Sequence, residues 1–472
     1  MLTLGTAYLI SEWLVRIIML LYVPQRRSPA SARAWLLLIF FLPIPGLVLY
    51  ALIGRAYLPR KRLEQQLKLI EMMQQLSERS GRMAPPPPPP PPEIIEASRL
   101  ARKLGSFVVA AGNRVELIAD YRRSIERLLE DIHAAHSSVH LLYYIFAEDA
   151  TGQRAAEALE HAARRGVSCR VLLDSVGSRG TLRRVAPRLR AAGIEVVALL
   201  PVLLLRPGGL RLDLRNHRKI AVIDGRIGYI GSQNIVDPDA NRGMINQELV
   251  ARVEGPVVHQ LQALIVADRY QEVGEELRDP KLFPGLLPSG VSAAQVLPSG
   301  PGHQEANTQH VLVNLIYAAR RRVVLTTPYF VPDSPFLAAM HNAAERGLEV
   351  RLIVSRRSNK PVVQFAQQSY YEDLLAAGVR IHLYRGAFLH AKHVSIDDSV
   401  AVIGSSNLDI RSFALNSELS LLVYDPVVVA DLNRIQERYL ADGDEVTLEA
   451  WRRRSPVRRW LQNMCRLADT LI

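Results

Sequence analysis

Apolar residues along this chain first run unbroken and later recur with a period. Ala34 to Gly54 reads AWLLLIFFLPIPGLVLYALIG, 21 residues without a charge. At about 1.5 Å per helical residue that is long enough to cross a hydrocarbon core of roughly 30 Å. Pro43, Pro45 and Gly46 in its middle predict a kink. Leu4 to Val23 is less clean, because it contains Glu12 and Arg16, which sit at i,i+4 and partly neutralise each other on one helix face. It reads as a second span, with an interfacial amphipathic helix as the alternative. The start is not basic and no small-residue cleavage site precedes Pro24, which argues against a cleaved signal peptide. Residues 1–58 are therefore expected to form a transmembrane hairpin that anchors the chain.

Between Arg60 and Arg82 the pattern turns charged and Leu/Met-dotted, predicting a juxtamembrane helix. Eight consecutive prolines follow, Pro85 to Pro92. They predict a stiff polyproline II spacer of about 3.1 Å per residue; an SH3-type ligand is the alternative. Residues 59–104 thus read as a linker.

Beyond it, strand-like runs and helical turns alternate, and they do so twice. HLLYYIF (His140 to Phe146) reads as a buried strand, and a helix ending in AARRGVSCRVLLDS (Ala162 to Ser175) runs into the next. LRAAGIEVVAL (Leu189 to Leu199) repeats that pattern. The later counterparts are VVLTTPYF, which ends at Phe330, AAERGLEVRLIVS (Ala343 to Ser355) and LLAAGVRIHLY (Leu374 to Tyr384). The offsets agree: 184 from Phe146 to Phe330, 181 from Gly166 to Gly347 and 185 from Gly193 to Gly378. This is an α/β layout present in two copies, 105–290 and 291–472. Two copies predict a pseudo-dimer with a cleft between halves rather than a solenoid.

Charge and composition sharpen this. Lys and Arg number 58 against 46 Asp and Glu, a net +12 with pI near 9.8. Hydrophobic residues make up 49%, enough for a large core and incompatible with wholesale disorder. The basic surplus points to an anionic partner. Cys169 and Cys465 supply neither a CxxC pair nor a disulfide framework. Of the basic residues near the apolar runs, Arg26, Arg27 and Arg33 lie between them, and Arg55, Arg60, Lys61, Arg62 and Lys68 follow the second. Five against three leans weakly towards a cytoplasmic body at the inner membrane, with two spans crossing it.

The candidate chemistry sits at matching places. NHRKIAVIDGRIGYIGSQN in the first half and LHAKHVSIDDSVAVIGSSN in the second give His217, Lys219, Asp224, Ser232 and Asn234, then His390, Lys392, Asp397, Ser405 and Asn407. An acidic residue follows each, Glu248 in NQEL and Glu418 in NSEL. On a strand, His and Lys two apart project from the same face. Two imidazoles and two ammoniums make a site for a tetrahedral phosphate. One His can attack phosphorus, the other can protonate the leaving oxygen, and lysines and asparagines can hold the non-bridging oxygens.

The paired HxKxxxxD and GSxN motifs resemble those of the phospholipase D superfamily, over about residues 105 to 445. Within it the chain is most similar to bacterial cardiolipin synthases, through RRSPASARAWLLLIFFLPIPG, TPYFVPD (Thr327 to Asp333) and SSNLDIRSFALNSE (Ser405 to Glu418). The resemblance implies two α/β/α repeats sharing one active site and transfer of a phosphatidyl group between two phosphatidylglycerol molecules, releasing glycerol. It also implies a phosphohistidine intermediate, no metal and no other cofactor. Family precedent makes His217 the nucleophile and His390 the general acid and then base.

Each residue has a plainer reading. A lone strand histidine is usually structural, but two intact motifs with equal spacing favour function for His217, Lys219, His390 and Lys392. Asn234 and Asn407 could merely end strands. Asp224 lies an odd number of residues after His217 and precedes Gly225, so Asp224 and Asp397 are expected to brace the site, not to move protons. Glu248 and Glu418 are candidates to hydrogen-bond an imidazole nitrogen, and otherwise ordinary strand-edge charges. His133 and His136 are expected at the surface.

Rival functions are a phospholipase D-type hydrolase or transphosphatidylase with another alcohol, a nuclease-like phosphodiesterase, and a silent lipid-binding scaffold. The apolar runs and the lack of an aromatic-basic platform speak against nucleic acid, and the intact motifs against the scaffold. The tail from Glu449 to Leu467 interleaves Trp451 and Trp460 with arginines, suiting either a lipid interface or a closing helix. Finally, Leu199 to Leu214 (LLPVLLLRPGGLRLDL) has no counterpart in the second half and is expected to dip into the membrane interface, the alternative being a cover over the body.

Overall fold

The computed structural model describes residues 4–27, 29–54, 62, 64, 65, 68, 92–202, 213–241, 243–277, 279–285, 287–302 and 306–467. Pro85 to Pro91 of the proline tract, nearly all of the juxtamembrane segment and Leu203 to Leu205 lie outside them. The chain divides into two compact units: Met1–Leu63 with Val202–Leu214, and Glu64–Pro201 with Arg215–Ile472.

In the first unit, Leu4–Tyr22 forms one continuous helix (α1), and its Gly5–Tyr22 stretch is, among the described residues, the one segment long and apolar enough to cross a membrane. The expectation that Ala34 to Gly54 crosses the membrane as one kinked span is corrected. Ala34 to Gly54 is divided between two shorter helices, Pro29–Phe41 (α2) and Pro43–Ile53 (α3). The break is at Leu42, whose φ of −132° and ψ of 74° are non-helical, as the residue before a proline prefers. The two helices fold back on each other. Trp35 and Tyr50, 22 Å apart on a straight helix by the roughly 1.5 Å rise, stack edge to face with ring centroids 5.2 Å apart. A Cβ on Gly46 would lie 3.0 Å from the Cα of Ile39, so any other residue would push the two helices apart at this crossing. Tyr50 also meets Tyr22 at 6.4 Å, so α3 returns to the end of α1 from which α2 departs. Arg16, paired with Glu12 at 3.3 Å, donates to the Phe40 carbonyl at 3.1 Å, beside the corner. The outward faces are mostly apolar, from Leu9 and Trp13 to Phe41 and Leu42.

In the second unit each half builds a mixed sheet. The first runs in the order 195–199, 168–174, 138–143, 219–223, 227–231, 250–254 and 110–118, and the second mirrors it as 380–384, 349–355, 322–326, 393–396, 400–404, 416–423 and 292–299, with Gly443–Val446 added antiparallel at its outer edge. The first three strands named in each sheet are parallel to one another, and the other neighbours in each order are antiparallel. The sheets join edge to edge where Ala110–Ile118 pairs antiparallel with Ser292–Ser299. Core apolar residues cover both faces, and the cluster containing Leu142, Ile230, Ala401 and Leu421 spans the join.

The tail packs as a closing helix. Gln462 is fully buried and donates to Gln368, Arg454 pairs with Glu372 at 2.8 Å, and Trp451 stacks on Tyr371 at 5.1 Å. Its other face leaves Val457, Trp460 and Leu467 exposed. Of the described residues of the Leu199–Leu214 segment, Leu199 and Leu200 are buried in the body. His133 and His136 are exposed. His140 is buried between Gln262 (3.1 Å) and Arg170 (2.9 Å).

Candidate active site

Each motif begins just before a strand and ends just after its hairpin partner. His217 and His390 lie in extended links ahead of Lys219–Ile223 and His393–Ile396, not within regular strand as their alternation predicts. Links of this kind free the imidazole from the sheet surface. Each lysine curls back to its own histidine, Lys219 Nζ to the His217 carbonyl and Lys392 Nζ to that of His390, both at 2.5 Å. Each GSxN serine holds a carboxylate: Ser232 donates to Glu248, and Ser405 to Glu418 at 2.6 Å. The glycine before it is required by close approach. A Cβ on Gly231 or Gly404 would collide with the carbonyl of Leu249 or Leu419.

The carboxylates cross over. His217 Nδ1 lies 2.9 Å from Glu418, and His390 Nδ1 lies 2.7 Å from Glu248, so each half orients the other's imidazole. Short backbone ladders make this possible. Arg215–Asn216 pairs with Asn416–Ser417, and Phe388–Leu389 with Asn246–Gln247. The His217 amide then donates to Ser417 O, and the His390 amide to Gln247 O, each at 2.8 Å.

Burial in this cluster moves every titration. Burial, then Lys219 and Lys392, hold His217 well below the ordinary histidine value. His390 is also lowered by burial, but Glu248 opposes the shift. Burial pushes Lys219 down to about 7 and Lys392 to about 8. Glu418 is pushed up to about 7 by burial. For Glu248, burial acts upward, yet His390 and Lys392 outweigh it and keep the carboxyl below its usual range. The two crossed pairs therefore share a geometry and differ in charge.

The aspartates stand at the far ends of the strands. Asp224 (φ 53°) accepts from the amides of His136, Ser137 and Ser138 at 2.7–2.9 Å, and Asp397 (φ 50°) from those of Arg320, Arg321 and Arg322 at 2.8–3.0 Å. Those bonds tie the hairpin to the strand beside it and leave no route to the imidazoles.

His217, His390, Asn234 and Asn407 share a cavity of about 550 Å³. Asn234 Oδ1 accepts from the Ile145 amide at 3.1 Å, whereas Asn407 Oδ1 is buried with no hydrogen-bond partner. The sequence reading missed several lining residues: Tyr144, whose ring lies 4.7 Å from that of His217, and Arg215, Tyr329, Lys360 and Arg411. Arg411 had a signal. Counted from the motif asparagine, it stands where the first half has Pro238.

Comparison with known proteins fits this architecture. The family model described as "Cardiolipin synthase, PLD-like domain" matches residues 128–268 and 312–440, one segment in each half. The chain belongs to that family. A second model, "Phospholipase_D-nuclease N-terminal", matches residues 13–55. Cardiolipin synthase A of Pectobacterium carotovorum subsp. carotovorum (strain PC1) is 36% identical over 96% of this chain and 94% of its own length. That of Proteus mirabilis (strain HI4320) is 34% identical over 95% and 94%. Phosphatidylserine synthase of Haemophilus influenzae Rd KW20 has a similar fold, with TM-score 0.60 and 15% identity over 80% of this chain and 99% of that one. This member of the cardiolipin synthase family is accordingly a membrane-associated phosphatidyltransferase acting on phospholipid.

Proposed function

We propose that the enzyme makes cardiolipin from two molecules of phosphatidylglycerol through a phosphatidyl-histidine. The observation that carries the role of each histidine is the unequal charge of the crossed pairs. His217, kept neutral with Nδ1 turned to Glu418, offers its Nε2 lone pair as nucleophile. His390, bonded to an anionic Glu248, is the better proton holder. In the first step Nε2 of His217 bonds to phosphorus, the bond to the glycerol oxygen breaks, and His390 protonates that oxygen. In the second, a hydroxyl of another phosphatidylglycerol attacks phosphorus, the P–N bond breaks, and its proton returns to His390. Lys219, Lys392, Asn234 and Asn407 stabilise the non-bridging oxygens, and Ser232 and Ser405 hold the orienting carboxylates.

The first unit supports a single crossing by α1, with α2 and α3 entering and leaving one leaflet. Their corner is held by Arg16, whose own burial in lipid, costing about 3 kcal/mol or more unpaired, is relieved by Glu12 and the Phe40 carbonyl. Gly54 then emerges on the same side as Pro29. In the sequence Arg26, Arg27 and Arg33 lie between α1 and Ala34, and Arg55, Arg60, Lys61, Arg62 and Lys68 follow Gly54, so with one crossing by α1 all eight count towards the same side, which favours a cytoplasmic body more strongly than two spans did.

Purified full-length enzyme in detergent, given phosphatidylglycerol alone, is expected to yield cardiolipin and glycerol in equal amounts. Phosphatidic acid as main product would overturn the transferase reading in favour of hydrolysis.

A further inference from the structure

The transfer reaction needs two phosphodiesters in one cavity, and the catalytic lysines serve only the one that reacts. The other belongs to the acceptor lipid and must be held with its free hydroxyl aimed at the phosphohistidine, three carbons away. The lining of the cavity is unequal in a way that meets this requirement. On the second-half side it presents Lys360 and Arg411, with Asp409 between them in charge. The Lys360 ammonium lies over the Tyr329 ring at 4.7 Å, and Asp409 caps the Ser412 amide at 2.6 Å. The charged side chains of this wall are Lys360, Arg411 and Asp409, more basic than acidic, as the recognition of a phosphodiester requires. The first half has Pro238 and Val236 where the second has Arg411 and Asp409, and Ile145 where it has Tyr329.

A second observation points to a ligand at the same wall. Ser412 and Asn416 line the cavity and are more than nine-tenths buried, and Asn416 Oδ1 has no hydrogen-bond partner among the described residues. Buried polar atoms rarely go unpartnered, because each costs about 1–3 kcal/mol. A headgroup rich in hydroxyls supplies the donor it lacks. We propose that Lys360 and Arg411 bind the phosphodiester of the acceptor phosphatidylglycerol, with Asn416 receiving its glycerol hydroxyls. The inference rests on the transferase reading above and assigns these residues to the second step alone.

The test uses an acceptor that lacks a phosphate. Labelled glycerol exchanging into phosphatidylglycerol uses the donor site, both histidines and the same bond changes, but no acceptor phosphodiester. Lys360→Gln/Arg411→Gln enzyme should keep glycerol exchange within about twofold of wild type while cardiolipin formation falls at least tenfold. Lys360→Arg should retain most of both. Retained exchange also shows that the variant folds. Equal loss of both activities would overturn the proposal, placing the two cations at the donor phosphate or in the fold, and so would unchanged cardiolipin formation. If wild-type enzyme exchanges glycerol but forms no cardiolipin, the reading of a second phosphatidylglycerol as acceptor itself fails, an outcome distinct from either.

Discussion

The two halves of the body bring the same residues to the cavity and surround them differently. The amide just before each histidine makes the point. In the first half the Asn216 amide donates to buried Asp174 at 3.0 Å, which also pairs with Arg215 at 3.3 Å. In the second the Leu389 amide donates at 3.1 Å to Ser355, a neutral hydroxyl at the equivalent strand end. Glu418 is raised and Glu248 lowered, and Arg411 has no counterpart. The bonds that set geometry are the same in both halves, while the substitutions around them make the charge unequal, as the proposed division into an attacking side and a proton-handling side requires.

The largest way to break this symmetry is to remove one histidine at a time. His217→Ala and His390→Ala should each lower cardiolipin formation by about 10⁴-fold or more. They should differ when an activated donor that needs no protonation is supplied: the His390 variant then accumulates adduct and the His217 variant does not, read by mass spectrometry of the trapped enzyme. Adduct on His390 would reverse the roles. Next comes stability. Asp174→Ser copies the second half into the first but strands buried Arg215, so it should cost about 3–5 kcal/mol in denaturant unfolding. Ser355→Ala, which removes a neutral acceptor, should cost about 1–3 kcal/mol. Equal losses would mean that Arg215 finds another partner.

The smallest effect sharpens the charge difference. The Glu248 anion raises the His390 pKa against burial, so Glu248→Gln should let that proton go at lower pH. The basic limb of glycerol release, which requires protonated His390, should move to lower pH, measured as a rate profile under single turnover. A shift towards higher pH would contradict the assignment of His390 as the acid.

Much of the architecture was legible because it is written locally. Period-2 and period-3.6 patterns, repeated at offsets of 181 to 185 residues, carry the two-sheet layout, and each motif lies within one hairpin. What joins distant segments was not. Glu248 and Glu418 could be named as imidazole partners, but which histidine each serves depends on ladders between residues 142 and 201 positions apart. Lys360 sits beside no motif and meets the site only through the helix it precedes. The second apolar run was misread because hydropathy reports the length of a segment, not whether Leu42 lets it turn back.

The exchange of carboxylates also governs when the protein becomes active during its own synthesis. The first half leaves the ribosome with His217, Lys219 and the rest of its motif in place, but the acid that orients His217 is Glu418, about 200 residues downstream. Until nearly the whole second half has folded against it, the nascent chain holds an imidazole with no fixed tautomer. A chain that stops before Glu418 is therefore expected to be inert towards phospholipid, measured as the absence of glycerol release.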